Sequence, residues 1–304
     1  MDNEALPPGA VVAGHICLDI IPDLEQAPVG YLERLLQPGR LVEIGPANLS
    51  AGGAVSNTGL ALDRLGVSVR LAAKVGVDAL GPVIRSLVNS YHPGLADGIL
   101  SDSSAGTSYT LILSPPGVDR IFLHYPGAND RFFASDIPYE LLAQADLFHF
   151  GYPPLMQQMH ARGGEELVEV LKRAKATGVT VSLDTAFPDP DREGGKADWR
   201  AIFRAALPFV DIFLPSLEEL MAMLRPDEYR LLQKASPSGI LGAVTPELLA
   251  DVSAELIALG VRVVVIKLGE RGLYLRTAKR TGPGQVGRAL SNHWEAWLEK
   301  ELWA

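Results

Sequence analysis

Apolar runs alternate along this chain with stretches in which apolar positions return every three or four residues. Val11–Leu18, Val67–Ala73, Leu147–Phe150, Val179–Leu183, Val210–Leu214 and Val261–Leu268 read as strands. Between them Val55, Thr58, Leu62 and Leu65 recur at helical spacing, as do Leu167, Leu171 and Ala174, and later Leu249, Val252, Leu256 and Leu259. Pro246 suits the first turn of the last helix and Gly260 its exit. This alternation predicts an α/β fold, a central, mostly parallel sheet flanked by helices on both faces.

Two segments break the pattern. Leu41–Leu49 and Thr107–Tyr125 carry no helical period, and the second reads as strands Ser108–Leu113 and Arg120–His124 joined at Ser114-Pro115-Pro116-Gly117. Together they are expected to leave the main sheet as a small β lid, the other reading being an ordinary hairpin at the sheet edge. Asp189–Asp198 and Ala278–Gly287, rich in Gly, Pro and charge, read as surface loops.

Composition narrows the classes. With 304 residues, 47% of them hydrophobic, the chain can bury one large core. Its formal charge of -9 disfavours a nucleic-acid partner, which needs clustered Lys and Arg. Cys17 is the single cysteine, so no internal disulfide framework is expected, and Met1–Ala10 holds no basic leader before an apolar run. Val11–Ile21 is broken by His15 and Asp19 and is too short to span a bilayer. The expected address is therefore cytoplasmic, with no membrane segment.

Two places invite chemistry. In Gly14-His15-Ile16-Cys17-Leu18-Asp19 a carboxylate follows the first strand, and open α/β sheets bind ligands at the carboxyl edge of their strands. Asp19 there would accept hydrogen bonds from the hydroxyls of a sugar or nucleoside; alternatively it caps a turn before Pro22. In Ala51-Gly52-Gly53-Ala54-Val55-Ser56-Asn57 paired glycines let backbone approach a ligand, and Asn57 offers an amide in the first turn of a helix. No Lys-Ser or Lys-Thr follows, so this is no GxxxxGKS phosphate loop. The first strand also lacks the G-x-G-x-x-G fingerprint that a nicotinamide-dependent dehydrogenase needs.

Further segments follow in a telling order: Gly76-Val77-Asp78-Ala79-Leu80-Gly81, Pro126-Gly127-Ala128-Asn129, Asp184, Asp211–Leu220 and Lys267-Leu268-Gly269-Glu270-Arg271-Gly272. In that order and at those intervals the chain, from about Val11 to Leu275, resembles the ribokinase-like, or PfkB, family of carbohydrate and nucleoside kinases. The resemblance implies one ribokinase-like domain over residues 1–304, with a lid from insertions at about 40–50 and 106–126. It implies transfer of a phosphoryl group from ATP, with Mg²⁺, to a hydroxyl of a small sugar or nucleoside. Asp19, Gly52, Gly53 and Asn57 match positions that hold the acceptor hydroxyls, and Asn129 sits where the lid approaches. Ser216 and Glu219 fall on an Asn-x-x-Glu motif that places phosphates and, through water, the metal; here Ser replaces Asn, a shorter group with fewer donors. Lys267, Gly269 and Gly272 match the nucleotide-contacting turn, and Gly269 and Gly272 also suit a tight hairpin. His124 and Tyr125 are candidates to stack on or hydrogen-bond the acceptor, the other role, expected for at least one of them, being a lid strand packing on its neighbour. Lid edges that pair between subunits imply a homodimer.

The family's catalytic Asp stands in a later Asp-Thr-x-Gly-Ala-Gly-Asp motif, whose amides form an anion hole and whose last carboxylate takes the hydroxyl proton. The 304 residues do not contain it. Thr281-Gly282-Pro283-Gly284-Gln285 keeps two glycines but puts Gln where the base belongs, and Gln cannot accept that proton. Two readings follow. Either this fragment is a degenerate anion hole in a non-catalytic sugar- or nucleoside-binding relative, or it is a surface loop and the domain's C-terminal part is incomplete. The second is the working expectation, with Ser291–Ala304, which carries Trp294, Trp297 and Leu298, as an amphipathic helix.

Overall fold

A computed structural model describes residues 9–25, 37–117, 119–235, 239–279 and 286–304. In chain order its strands are β1 (Ala10–Gly14), β2 (Cys17–Pro22), β3 (Ala47–Gly52), β4 (Val69–Gly76), β5 (Ile99–Asp102), β6 (Tyr109–Leu113) and β7 (Ile121–Tyr125). They continue with β8 (Leu147–Gly151), β9 (Thr180–Asp184), β10 (Ile212–Phe213), β11 (Val263–Lys267), β12 (Leu273–Thr277) and β13 (Glu301–Trp303). Helices of two turns or more are α1 (Gly53–Arg64), α2 (Leu80–Asn89), α3 (Glu165–Ala176), α4 (Trp199–Ala206), α5 (Leu217–Leu224), α6 (Pro226–Ala235) and α7 (Pro246–Ala258).

Nine strands form the main sheet in the order β13-β12-β11-β10-β9-β8-β1-β4-β5. All neighbours from β11 to β5 run parallel, and β12 and β13 close one edge antiparallel. Successive side chains of a strand face opposite sides, and the core divides accordingly. Val11, Ala13, Phe148, Phe150, Val181 and Leu183 pack with α3, α4, α5 and α7, whereas Val12, Leu71, Ala73 and Val75 pack with α1 and α2. Local signals agree with this layout at α7, where the Thr245 hydroxyl accepts from the Leu248 amide at 3.2 Å and Pro246 opens the first turn.

The other four strands form a separate sheet, in the order β3-β2-β6-β7. Both insertions expected to leave the main sheet contribute to it, but the first does so over Ala47–Gly52, and residues 41–46 carry no strand. The single strand expected over Val11–Leu18 is two strands in two sheets. The chain turns at Gly14, where φ is 120° and any side chain would run into the Gly151 carbonyl, and β2 becomes an inner strand of the small sheet. Leu65, counted as an apolar helix position, is the exposed residue that ends α1.

The expected helix over Ser291–Ala304 is also corrected. Single turns at Arg288–Ser291 and Trp294–Trp297 end where Leu298 turns extended and Glu299 takes φ 54°, and β13 then pairs with β12. Trp294 is buried, so the apolar face is used, but as a plug against Val263 and Val265. The fragment Thr281–Gln285 lies outside the described residues. Among those described, no helix is long and apolar enough to cross a membrane.

Candidate active site

The carboxyl ends of β1, β8, β9, β10 and β11 lie side by side. Register pairs Gly14 with Gly151 and Gly151 with Asp184, and an isolated bridge joins Ser216 to Lys267. Residues as far apart in sequence as Gly14 and Lys267 thereby share one edge, the edge at which open parallel sheets bind ligands.

At β1 the segment between the two sheets is firmly held. His15 donates its amide to the Gly151 carbonyl at 3.3 Å and accepts from the Val55 amide at 3.1 Å. The Asn129 side chain takes the Ile16 amide at 3.2 Å and donates to the Ile16 carbonyl at 2.9 Å. Asn129 is fully buried, and both halves of its carboxamide are used on this backbone. Its place is thus the joint between the sheets, where it holds backbone, and not the approach of a lid to a substrate.

Asp19, Gly52, Gly53 and Asn57 are brought together beyond this joint. Asp19 sits on β2 between Ser50 of β3 and Thr110 of β6. The Cys17 thiol donates to its carboxylate at 3.2 Å, and burial pushes the Asp19 carboxyl up despite bonds from Cys17 and Thr110. A side chain on Gly52 would overlap that carboxylate, so the missing Cβ keeps the space in front of Asp19 clear. Gly53 opens α1 with φ 87°, over His15. Asn57 lies exposed on the first turns of α1. From Cys17 the polar chain runs on through Thr110 to His124, at 3.0 Å, and from His124 to His15, at 3.3 Å. His124, a candidate contact, thus ties the small sheet to the joint, while Tyr125 packs against Tyr109.

Across the sheet edge a second cluster forms. Lys267, ending β11, bonds Asp184, ending β9, at 2.7 Å. Burial pushes the Asp184 carboxyl up to about 6 against the pull of Lys267. At Lys267 burial pulls the ammonium down but is outweighed by Asp184 and Glu219, so it is held above its usual value. Ser216 caps α5: its hydroxyl accepts from the Glu219 amide at 3.2 Å while Glu219 Oε2 accepts from the Ser216 amide at 2.9 Å. The same oxygen accepts from Thr185 at 2.8 Å. Gly269 and Gly272 shape the turn from β11 to β12, which closes with the Leu268 amide on the Gly272 carbonyl at 2.8 Å.

Two further groups belong here that sequence reasoning missed. His149 on β8 is buried between Ser182, at 3.0 Å, and Thr58, at 3.4 Å, and burial followed by Lys267 pulls it down to about 4. Tyr152, next after β8, has the left-handed values φ 64° and ψ 43°. Its amide donates to the Asp184 carbonyl at 3.3 Å, its ring lies 6.0 Å from that of His15, and burial pushes its phenol up. The available signal was Gly151-Tyr152-Pro153-Pro154 at a strand end, a turn whose conformation the residue types do not announce.

No cage of three or more His, Cys, Asp or Glu side chains forms among the described residues. The donor chemistry nevertheless suits a cation held partly through water. The Glu219 charge adds to burial in raising the proton affinity of Asp184, with the Lys267 ammonium opposing it, and a divalent ion would relieve that repulsion.

A family model described as pfkB family carbohydrate kinase matches residues 10–287. Fructokinase-1 of Zea mays is 28% identical over 168 residues, 53% of this chain and 50% of that protein. An uncharacterized sugar kinase of Archaeoglobus fulgidus is 23% identical over 221 residues, 73% of this chain and 74% of that one. The chain spans about half the length of the plant fructokinases it matches. Among solved structures, Arabidopsis thaliana ribokinase complexed with ribose and ATP superposes with a TM-score of 0.67 at 21% identity, over 92% of this chain and 78% of its own. Fructokinase with bound ATP from Xylella fastidiosa gives 0.64 at 21% identity, over 90% and 77%. The architecture is that of the ribokinase-like fold.

Proposed function

Because this chain belongs to the pfkB family of carbohydrate kinases, we propose that its sheet edge binds a sugar on the Asp19 side and ATP on the Lys267 side, for transfer of the γ-phosphoryl group to a sugar hydroxyl. The observation that carries this reading is the pairing of two unlike clusters at one sheet edge: Asp19 behind a cleared Gly52, with Asn57 on the same helix start, and Lys267 with Asp184 and Glu219. Asp19 and the Asn57 amide suit neutral hydroxyls, while Lys267 suits phosphate oxygens. Ser216, Glu219, Gly269 and Gly272 take the nucleotide side of the site. Asn129 serves indirectly, by fixing Ile16 and with it the path of β2.

Asp184 and Glu219 would hold Mg²⁺, Glu219 through water, and the ion when bound supplies neutralisation of phosphate charge. The small sheet acts as a lid that orders the sugar and excludes water, which supplies proximity and protects the phosphoryl group. One domain carries both functions, working in the cytoplasm, and the exposed β7 edge of the lid, with Phe122 and Leu123, is the surface through which two copies would pair.

A second reading, a sugar- or nucleoside-binding relative without turnover, is favoured by one observation. Ser216 stands where the family has Asn. The test is ADP formation from Mg-ATP with fructose, ribose and a panel of other sugars and nucleosides. ADP release that depends on one of them supports the kinase; binding without ADP supports the second reading.

A further inference from the structure

The Asp19 carboxylate stands at one end of a chain of polar side chains that crosses the small sheet. Cys17 of β2 donates its thiol to Asp19 Oδ1 at 3.2 Å. Thr110 of β6 reaches the Cys17 sulfur at 3.6 Å, and His124 Nδ1 of β7 lies 3.0 Å from the Thr110 hydroxyl. At the joint His15 Nε2 meets His124 Nε2 at 3.3 Å. Cys17, Thr110 and His15 are buried, whereas His124 is exposed. At the far end His15 Nδ1 is buried with no hydrogen-bond partner among the described residues.

The carboxylate decides which way the protons point. An ionised carboxylate only accepts, so the one thiol proton of Cys17 goes to Asp19 and the sulfur accepts from Thr110. With its single proton so used, the Thr110 oxygen accepts from His124 Nδ1. At pH 7.5 both imidazoles are neutral, since the ordinary value is about 6.5 and burial pulls His15 down to about 3. A neutral ring carries one N–H, so His124, protonated on Nδ1, accepts at Nε2, and His15 donates there from its own Nε2. His15 Nδ1 is then left without a proton, and no acceptor among the described residues bonds it. Every donor in the chain points toward Asp19.

We propose that His15, His124, Thr110 and Cys17 form a one-way hydrogen-bond relay that positions Asp19 for its sugar. The thiol holds Oδ1, while Oδ2, the atom nearest the space that Gly52 leaves open, receives the acceptor hydroxyl. A thiol is a weak donor, so it orients the carboxylate without satisfying it. The relay joins β2, β6 and β7 to the joint, and the contacts that seat the lid thereby also set the carboxylate. All four are positioning residues, acting through Asp19. The inference rests on the sugar site proposed above and adds the side chains behind it.

Two experiments test it, and the first needs no sugar. In the full chain labelled with ¹⁵N-histidine at pH 7.5, side-chain nitrogen shifts should show His124, identified by the signals lost in His124→Gln, protonated on Nδ1. Thr110→Val removes the acceptor of that proton and should move His124 toward the Nε2 form, which a loss of packing alone would not do. A wild-type His124 protonated on Nε2 would overturn the relay. The second titrates D-fructose and D-ribose, and separately a non-hydrolysable Mg-ATP analogue, by calorimetry into wild type, Thr110→Val, Cys17→Ala, Cys17→Ser and the Thr110→Val/Cys17→Ala double variant. Thr110→Val and Cys17→Ala should each weaken the sugar by about 3- to 10-fold, as for one neutral hydrogen bond, with analogue affinity within about 2-fold. Cys17→Ser keeps a donor and should stay within about 2-fold of wild type for the sugar. The double variant should bind sugar no more weakly than Cys17→Ala, because Thr110 acts through the thiol. Unchanged sugar affinity in Cys17→Ala, a Cys17→Ser as weak as Cys17→Ala, or additive losses would overturn the relay's role. A wild type that binds neither sugar would overturn the sugar site and the relay's service to it, and the His124 tautomer would still decide the direction of the chain.

Discussion

Gly53→Ala tests how tightly the joint is built. The new methyl would lie 2.6 Å from the His15 carbonyl oxygen, 2.7 Å from His15 Nδ1 and 2.9 Å from the Ile16 Cα. Two of these three are backbone atoms in a segment fixed by Asn129 and Gly151, so they cannot swing aside as a flexible side chain would. Gly53 also has φ 87°, which costs an alanine about 1–2 kcal/mol. Crowding adds about 1–3 kcal/mol, for a loss of about 2–5 kcal/mol. Gly66, which follows the same helix, has φ 83° with no atom within 4 Å of its would-be Cβ, and so supplies the control. Gly66→Ala should lose only the backbone share, about 1–2 kcal/mol. Gly52→Ala completes the comparison: its φ of -107° suits any residue, and its methyl displaces only the Asp19 carboxylate. It should keep stability within about 1 kcal/mol and lose sugar affinity. Equilibrium urea unfolding reads the stabilities and calorimetry the affinities. Equal losses for Gly53→Ala and Gly66→Ala would refute the crowding argument.

Ser216→Ala should lose about 1 kcal/mol of stability with the cap, read by urea unfolding, whereas Ser216→Asn should retain the cap and tighten the ATP analogue. An Asn variant that binds the analogue more weakly than Ser would separate this position from the nucleotide. Folding stability should fall as pH drops below about 6.5, because the unfolded chain binds protons there that buried His15 and His149 refuse until about 3 and about 4. Each contributes up to about 1.4 kcal/mol per pH unit within its window, and Asp184, raised to about 6, opposes the trend between about 6 and its unfolded value. Urea unfolding at pH 7.5 and 5.5 should show a smaller drop for His149→Gln than for the wild type; an unchanged drop would remove His149 from the account.

The sequence made the parallel core legible because strands buried on both faces are nearly all apolar, as in Val263–Ile266 and Val11–Ala13. The same property hid the break at Gly14-His15-Ile16. Both halves of Val11–Leu18 are buried, and hydropathy does not record that one half belongs to another sheet. Edge elements were least visible. Glu301–Trp303 is short and exposed, and Trp294, Trp297 and Leu298 mimic a helical spacing that Leu298 and Glu299 end. In the site, residues near one another in sequence, Gly52-Gly53 with Asn57 and Ser216 with Glu219, could be read together. The Lys267–Asp184 pair spans 83 positions and the His15–His124 contact 109, so both had to await the fold. Asn129 shows the reverse: its motif drew attention to the right place, but burial assigned it to the backbone of Ile16.

The central claim is that Asp19 belongs to a sugar site distinct from the nucleotide site. Calorimetry on Asp19→Ala with the preferred sugar and, separately, with the Mg-ATP analogue tests it most directly. The account predicts a loss of sugar affinity of about 10-fold or more, as for a hydrogen bond to a charged group, and analogue affinity within about 2-fold of the wild type. Equal losses for both ligands, or an unchanged sugar affinity, would contradict it.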